Sequence, residues 1–555
     1  MSSTPLKRAT LITLGLGEAG QKILYQVEKL AQRLGIIDPV KNPEKEKLKI
    51  IPIRLLYETI NDNTQNNEDN KKGEALRYLL SKLKHSENNI DNIDKTFIRP
   101  SKLRIEPSKV IVENLAKLIN ELDPVVSTRY GFSMIRIDLD EQTLMKVGIA
   151  IYDEGLPVPP GISIASRESE IYDHVLGEVV PLQPTGGSGG RSTIVFQLLR
   201  RTENSIILDL LGIPINIKAP QVSVLKSALP SYRSFLLMHG LVGTGAGAAA
   251  AILETLREIG QKDVLSSRFK MAFTIIPSAE EAHIGKLDPH KWIKIFQWDV
   301  TKLLEFINDG LLDTTFIVDL DFAVLQYKKN KNIIKKKYDT IKIVNRFIND
   351  ILNSKLNLYR RNELRRYTGL TASTLLVEYE KVDALIAYSL EPILCVHGPR
   401  GVRFGAGGSS VDEMELKDMM KGFVAVPMVS SMDVFNVYLD VARSSVEEEG
   451  KDIGEEALAA LVLPVLHGLL APMLRDMAEK FIVVVSANAL KSLEEKIGYL
   501  PTTSDIAALF REVFTTKSYV KILVSDTNVA TSVVAYALVD PVKYLNHVVI
   551  AKGWS

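Results

Sequence analysis

The stretch Ser234-Phe-Leu-Leu-Met-His-Gly-Leu-Val-Gly-Thr-Gly-Ala-Gly247 sets the architecture. Its first five residues form an apolar run of strand length, and the glycines that follow interrupt any periodic pattern. Ala248–Ile259 then reads as a helix, because alanine has the highest intrinsic helix propensity. A strand, a glycine loop and a helix in this order present backbone N–H groups at a helix N-terminus, where glycine lets a phosphate oxygen come close. Thr244 adds a hydroxyl among those donors. Close helix–strand packing through small residues is the competing explanation for the same glycines.

The pattern occurs twice. Leu11–Leu14 runs into Gly15, Gly17 and Gly20, spaced G-x-G-x-x-G, and then into the amphipathic stretch Gln21–Leu34. Alone, this spacing fits a dinucleotide-binding unit, another phosphate site or a tight turn with no ligand. Two such loops in one parallel-sheet domain point to a mononucleotide with several phosphates, gripped from two sides.

Further strands are expected at Phe132–Ile137, Met271–Ile276 and Thr315–Val318, with a flexible turn at Thr185–Gly190 leading into a helix over Ser192–Leu211. Asn61–Lys72 is almost free of apolar residues and reads as an exposed loop, as does the basic stretch Tyr327–Tyr338. A long helix is expected over Leu376–Val396, a glycine-rich hinge over Gly398–Gly408 and a helix over Val411–Met420. Beyond it, Phe423–Val429, Phe481–Ala487, Val520–Val524, Ser532–Val539 and His547–Ala551 read as strands and Ile506–Phe514 as a helix. Alternating strands and helices early in the chain imply a mostly parallel sheet.

The 555 residues exceed what one hydrophobic core fills, so at least two domains are expected. Lys and Arg number 68 against 67 Asp and Glu, a balance that excludes a whole-chain field for nucleic acid or anionic lipid. The single cysteine, Cys395, excludes an intramolecular disulfide framework and a Cys-rich zinc site, and implies a reducing, cytoplasmic compartment. Cys395 and His397 read as packing residues, with no third group to orient them as a nucleophile pair. Ala9–Gly17 follows Lys7 and Arg8 like a short secretory signal, but its glycines and Glu18 favour a buried first strand. Ala457–Leu474 carries no formal charge, yet Pro464, His467, Gly468 and Pro472 favour a buried helix over a membrane span.

Ser410-Val-Asp412-Glu-Met-Glu415 opens the helix after the glycine-rich segment, with Asp412 and Glu415 on one face. Acids in a first turn also complement the helix dipole. In this order, the elements resemble the tubulin/FtsZ superfamily of GTP-hydrolysing, filament-forming proteins. His239–Gly247 resembles its signature loop, Gly15–Gly20 its first nucleotide loop and Ser410–Glu415 its catalytic loop. Ile275-Ile-Pro-Ser278 resembles a further loop, and Phe481–Ala487, Val520–Val524 and His547–Gly553 its second domain. The resemblance implies an α/β fold: a Rossmann-like GTP-binding domain with a parallel sheet, a long central helix and a smaller α+β domain. The corresponding boundaries are 1–370 for the nucleotide-binding domain, with insertions at about 40–125 and 325–368, then 371–408 for the helix and hinge and 409–555 for the C-terminal activation domain.

By the same resemblance, Gly15, Gly17, Glu18, Ala19, Gly20 and Gln21 border the α- and β-phosphates, and Asp138 and Asp140 lie near the phosphates and magnesium, with Asp140 the candidate metal contact. Gly186, Gly187, Gly189 and Gly190 sense the γ-phosphate, while Gly243, Thr244, Gly245, Ala246 and Gly247 wrap the phosphates. Glu280 or Glu281 reaches the ribose, and Asp383 contacts guanine. Three departures stand out: Val242 replaces a signature glycine, Asp321 an asparagine at the base, and Ser410 the catalytic-loop asparagine.

The resemblance implies a GTPase that binds GTP or GDP with Mg2+ and polymerises head to tail, Asp412 and Glu415 being the catalytic acids supplied to the next subunit's site. Its partner is another copy of itself; no nucleic acid and no transmembrane segment are expected, and cell division is one of several possible settings. Two rivals stand beside it: a nucleotide-binding scaffold of the same fold with little hydrolysis, and an NAD-dependent oxidoreductase using Gly15, Gly17 and Gly20.

Overall fold

Strand β1 (Leu11–Leu16), helix α1 (Gly17–Arg33) and strand β2 (Ile50–Thr59) begin the chain. The computed structural model describes residues 11–35, 50–59, 133–137, 146–148, 151–153, 170–181, 190–201, 234–258, 268–279, 281, 287–335, 379–397, 401–466, 477–514 and 519–554. The expected loop Asn61–Lys72 lies outside them. Two compact units are present, one formed by residues 1–25, 37–272 and 281–312, the other by 26–36, 273–280 and 313–555.

The first unit continues with β3 (Ser133–Ile137), β4 (Lys146–Gly148), β5 (Ile151–Asp153) and the hairpin β6 (Glu170–Asp173) and β7 (Glu178–Pro181). Helix α2 (Ser192–Arg201), β8 (Ser234–Gly240), α3 (Thr244–Glu258), the start of β9 (Phe269–Ile276) and α4 (Pro289–Asn308) complete it. Its sheet runs β9-β8-β1-β2-β3-β4, with β5 on β2. β1 lies between β8 and β2 and is parallel to both, so Leu16 pairs with His239 on one side and Leu55 on the other. Such central strands are covered on both faces, which is why Ser234–His239 is buried without alternation. Asp288 caps α4, accepting from the backbone N–H of His290 and Lys291, and Pro289 fits the first helical position.

The second unit begins with β10 (Thr314–Asp319), α5 (Leu320–Lys335), α6 (Tyr379–Tyr388) and α7 (Glu391–Cys395). Next come β11 (Val402–Phe404), β12 (Ser410–Val411), α8 (Glu413–Met420), β13 (Phe423–Ser431), α9 (Met432–Glu449) and α10 (Ile453–Leu466). β14 (Ala478–Ser486), α11 (Ala487–Ile497), α12 (Thr503–Phe514), β15 (Tyr519–Ser525), β16 (Thr531–Val539) and α13 (Pro541–Ala551) follow. Its strands run β12-β11-β15-β14-β16-β13-β10, parallel at β14–β15 and β10–β13 and antiparallel at the other pairs. The α/β class expected from the alternating pattern is the one observed.

Several local expectations are corrected. The segment read as one long helix is broken at Ser389–Leu390 into α6 and α7. Pro392 has no N–H to continue the ladder, and the Ser389 hydroxyl donates to the Ile386 carbonyl at 2.6 Å. The buried Glu391 carboxylate then accepts the backbone amides of Val529, Ala530 and Thr531 at 2.7, 3.0 and 2.8 Å, which fixes the break. Within the expected hinge at Gly398–Gly408, residues 402–404 form the first strand of an antiparallel hairpin with β12, Val402 facing Val411 and Arg403 facing Ser410. The closing segment His547–Ala551 is helical, not a strand: Asp540 caps α13, Pro541 starts it, and Tyr544, Leu545, Val548 and Ala551 bury one helical face. The basic stretch from Tyr327 is helical as far as Lys335, anchored by buried Gln326, Asn330 and Ile333. Among the described residues, no helix is long and apolar enough to cross a membrane.

Candidate functional site

Because β1 and β8 are adjacent and parallel, the two glycine loops leave the same edge of the sheet side by side. α1 starts directly after Leu16 and α3 starts at Thr244, so two helix N-termini open at the carboxyl ends of neighbouring strands. That location is where open α/β sheets bind ligands, and helix N-termini favour anions. Gly17 and Gly243 both have positive φ, +66° and +80°, a conformation that side chains with a Cβ disfavour.

The remaining glycines do different work. A Cβ on Gly20 would lie 2.0 Å from the Met238 carbonyl oxygen, and one on Gly245 would lie 2.5 Å from that of Leu16. Each helix start therefore presses on the neighbouring strand: α1 on β8, and α3 on β1. Gly247 does the same against α2, where a Cβ would approach the Ser192 carbonyl oxygen to 2.3 Å. The packing explanation thus holds for Gly20, Gly245 and Gly247, while Gly17 and Gly243 shape the turns. Both sets are needed to bring three helix starts together.

The third start is that of α2. Gly190 stands just ahead of it, and a Cβ there would sit 3.8 Å from a Val242 methyl and 3.5 Å from the Trp292 ring. Val242, the departure from a glycine-only loop, therefore meets the end of the Gly186–Gly190 segment. Three consecutive residues at this point each take an acidic partner. Arg191 pairs with Glu178 at 2.6 Å, the Ser192 hydroxyl donates to Asp299 at 2.7 Å, and the Thr193 hydroxyl donates to Asp173 at 2.7 Å. Lys291 also binds Glu178; that hydrogen bond first, and Arg191 second, hold the carboxyl below its usual range. Asp299 is buried, its Oδ1 has no hydrogen-bond partner among the described residues, and burial pushes its carboxyl well above the ordinary value. His239 is buried and lowered to about 4 by desolvation, so its imidazole is neutral at physiological pH; Nδ1 lies 2.9 Å from the Gly240 carbonyl oxygen.

In the second unit, Asp412 and Glu415 are exposed at the start of α8, directly after β12. Asp321 is buried at the start of α5, and its Oδ2 accepts from Lys552 Nζ and from the Ala279 backbone N–H, each at 2.9 Å. It thus holds the turn after β9. Asp383 is half-buried on α6, and Glu281 is exposed. Asp138, Asp140, Gly186, Gly187, Gly189 and Glu280 lie outside the described residues. Sequence reasoning missed Asp299, Asp173, Glu178 and Lys552. No local spacing marks them, since each acts on a partner distant in the chain or through a fold contact.

No family model matches the chain, and no curated protein matches it. Among solved structures, the chain is similar to a GTPγS-form protofilament of TubZ from Bacillus thuringiensis serovar israelensis, at 14% identity and a TM-score of 0.35 over 66% of this chain and 76% of that one. It is also similar to CetZ from Methanosaeta thermophila, at 11% identity and a TM-score of 0.38 over 98% of this chain and 91% of that one.

Proposed function

We propose that the protein is a tubulin/FtsZ-like GTPase that binds GTP and GDP with Mg2+ and polymerises head to tail. The observation that carries this reading is the pair of glycine loops on adjacent parallel strands, joined by the start of α2 at Gly190. Three helix N-termini with neither α2 nor α3 carrying an acid in its first turn suit a polyphosphate better than a single carboxylate. Gly17 and Gly243 form the turns, and the backbone N–H groups after them bind phosphate oxygens.

Asp412 and Glu415 act on the nucleotide of a neighbouring copy. Their exposure at the head of α8 leaves them available to a second molecule. There they orient the attacking water and accept its proton as the phosphoryl group transfers. Magnesium bound with the phosphates would offset their charge, Asp140 being its candidate contact by the resemblance. A contact of this head-to-tail kind does not close on itself and builds filaments.

A second reading keeps an NAD-dependent oxidoreductase in view, because β2 pairs parallel with β1 and carries Glu58 next to its end, where a dinucleotide fold places an acid for the ribose. Thermal melting with GTP, GDP, ATP and NADH separates the readings, since only a ligand of the folded state raises Tm. Stabilisation by GTP and GDP, with phosphate release rising more steeply than linearly with protein concentration, is the expected result. Binding of GTP with no release at any concentration would leave the scaffold reading; stabilisation by NADH alone would overturn the GTPase.

A further inference from the structure

We propose that Lys417 and Glu413 are positioning residues that aim Asp412 and Glu415 at the neighbouring copy. This rests on the shared-site reading above. α8 has two sides with different jobs. Asp412, Glu415 and Asp418 are exposed, whereas Glu413, Leu416, Lys417 and Met420 are buried. Leu416 and Met420 are ordinary core contacts, but two charged side chains on that inner face are not.

Each lies against a buried polar partner. Lys417 Nζ lies 3.8 Å from Asp313 Oδ2, with both side chains under one-tenth exposed. His397 Nδ1 lies 3.5 Å from Glu413 Oε1, with side chains 2% and 10% exposed. The two pairs tie α8 to the start of β10 and to the end of α7. Asp313 is used twice, since its backbone carbonyl also accepts from the Gly422 N–H at 2.7 Å, just past the helix C-terminus. On the other side, the β11–β12 pairing of Val402 with Val411 fixes the chain immediately before Asp412.

An eight-residue helix cannot hold its own orientation, because isolated helices of this length are not stable in water. Core contacts alone let a short helix roll on an apolar surface. Two buried polar contacts along the inner face, Lys417 with Asp313 and Glu413 with His397, with the hairpin at the front and Gly422 at the back, leave one rotation about the axis. That rotation decides where the outer carboxylates point. Because the reacting phosphate belongs to another molecule, the acids cannot be aligned by contacts within their own site, so alignment has to be built from behind.

The test compares Asp412→Asn, Lys417→Met and Glu413→Gln by GTP affinity and by phosphate release in the polymerising range. Lys417→Met is expected to lower turnover about tenfold or more with GTP affinity changed less than about twofold. It is then mixed in equal amounts with Ala19→Glu, which puts a negative charge in the first turn of α1 and disables the pocket while leaving α8 intact. The mixture is expected to exceed the summed activities of its components, because a Lys417→Met pocket receives acids from an Ala19→Glu copy. Lys417→Arg is expected to recover part of the lost turnover. Wild-type turnover by Lys417→Met, or a slow variant that the mixture does not rescue, overturns the positioning role. If Lys417→Met does not fold, Glu413→Gln carries the same two readouts, and wild-type turnover there overturns it. Wild-type turnover by Asp412→Asn would instead remove the shared-site reading itself.

Discussion

Asp412 and Glu415 cap one another. Asp412 Oδ1 accepts from the backbone N–H of Met414 and of Glu415, each at 2.9 Å, and Glu415 Oε2 accepts from the backbone N–H of Asp412 at 3.0 Å. This is a capping box, in which two otherwise unpaired donors at a helix start are satisfied reciprocally. It uses one oxygen of each carboxylate and holds both side chains at the head of α8. A structural cap and a catalytic pair are therefore compatible here.

The cap dictates how the acids are tested. Alanine at 412 removes both the carboxylate and a cap worth about 0.5–2 kcal/mol, whereas asparagine caps as well as aspartate. Asp412→Asn should keep the melting temperature of the wild type and lower GTP turnover by about 100-fold or more. Asp412→Ala should lose turnover and also melt lower. Phosphate release and thermal melting of the two variants check both statements.

The glycines separate by their surroundings. Gly20→Ala forces a methyl against the Met238 carbonyl, and Gly245→Ala one against that of Leu16. Each should destabilise by about 1–3 kcal/mol or more whether or not nucleotide is present. Gly243→Ala strains a positive-φ turn, a cost of about 1–3 kcal/mol, and should weaken nucleotide binding beyond its effect on folding. Urea denaturation with and without GTP distinguishes the two groups.

Asp299 gives a pH signature. Burial raises its carboxyl well above the ordinary value of 3.8, and the hydrogen bond from Ser192 does not offset this. The folded protein thus holds that proton more tightly than the unfolded chain, and the associated stability is full below the unfolded value and lost as pH rises through the folded one. Asp299→Asn keeps an acceptor for Ser192 and has no proton to lose. It should become progressively more stable than the wild type as pH rises from acid to alkaline values. Denaturation midpoints at the two ends measure the difference.

Lys552 sits between two buried acids, 3.0 Å from Asp319 and 2.9 Å from Asp321, and also donates to the Pro277 carbonyl at 2.8 Å. Burial pushes Asp319 up to about 6 against the pull of Lys552. Burial also pulls Lys552 down, but the two carboxylates outweigh it and hold the ammonium above its ordinary value, so its contribution persists until pH passes that raised value. Lys552→Met leaves two unpaired buried acids at neutral pH and should cost about 3–5 kcal/mol. The loss should shrink toward about pH 5, where Asp319 takes up its proton. Urea midpoints at both pH values check it.

The sequence is most legible where the structural requirement is itself local. A buried strand is a short apolar run, a tight turn needs glycine, and an alanine-rich run favours a helix, so β1, β8, α3 and the two glycine loops stand out in the linear chain. The closing helix α13 is not legible in His547–Ala551, which taken alone is apolar enough for a strand; its cap at Asp540 and Pro541 lies further upstream. The break before α7 leaves no local mark because its stabilising partners are the amides of Val529–Thr531, 138 to 140 residues away.

The amino-acid order by itself determined an α/β chain with two strand–glycine–helix units and a pair of acids opening a late helix. Only the tertiary structure decided which glycines pack and which turn, that Ser192 meets Asp299 across 107 residues, and that Lys552 meets Asp321 across 231. The reason is physical: backbone conformation is set by neighbours in sequence, whereas burial and charge pairing are set by neighbours in space, which leave no periodic mark on the chain.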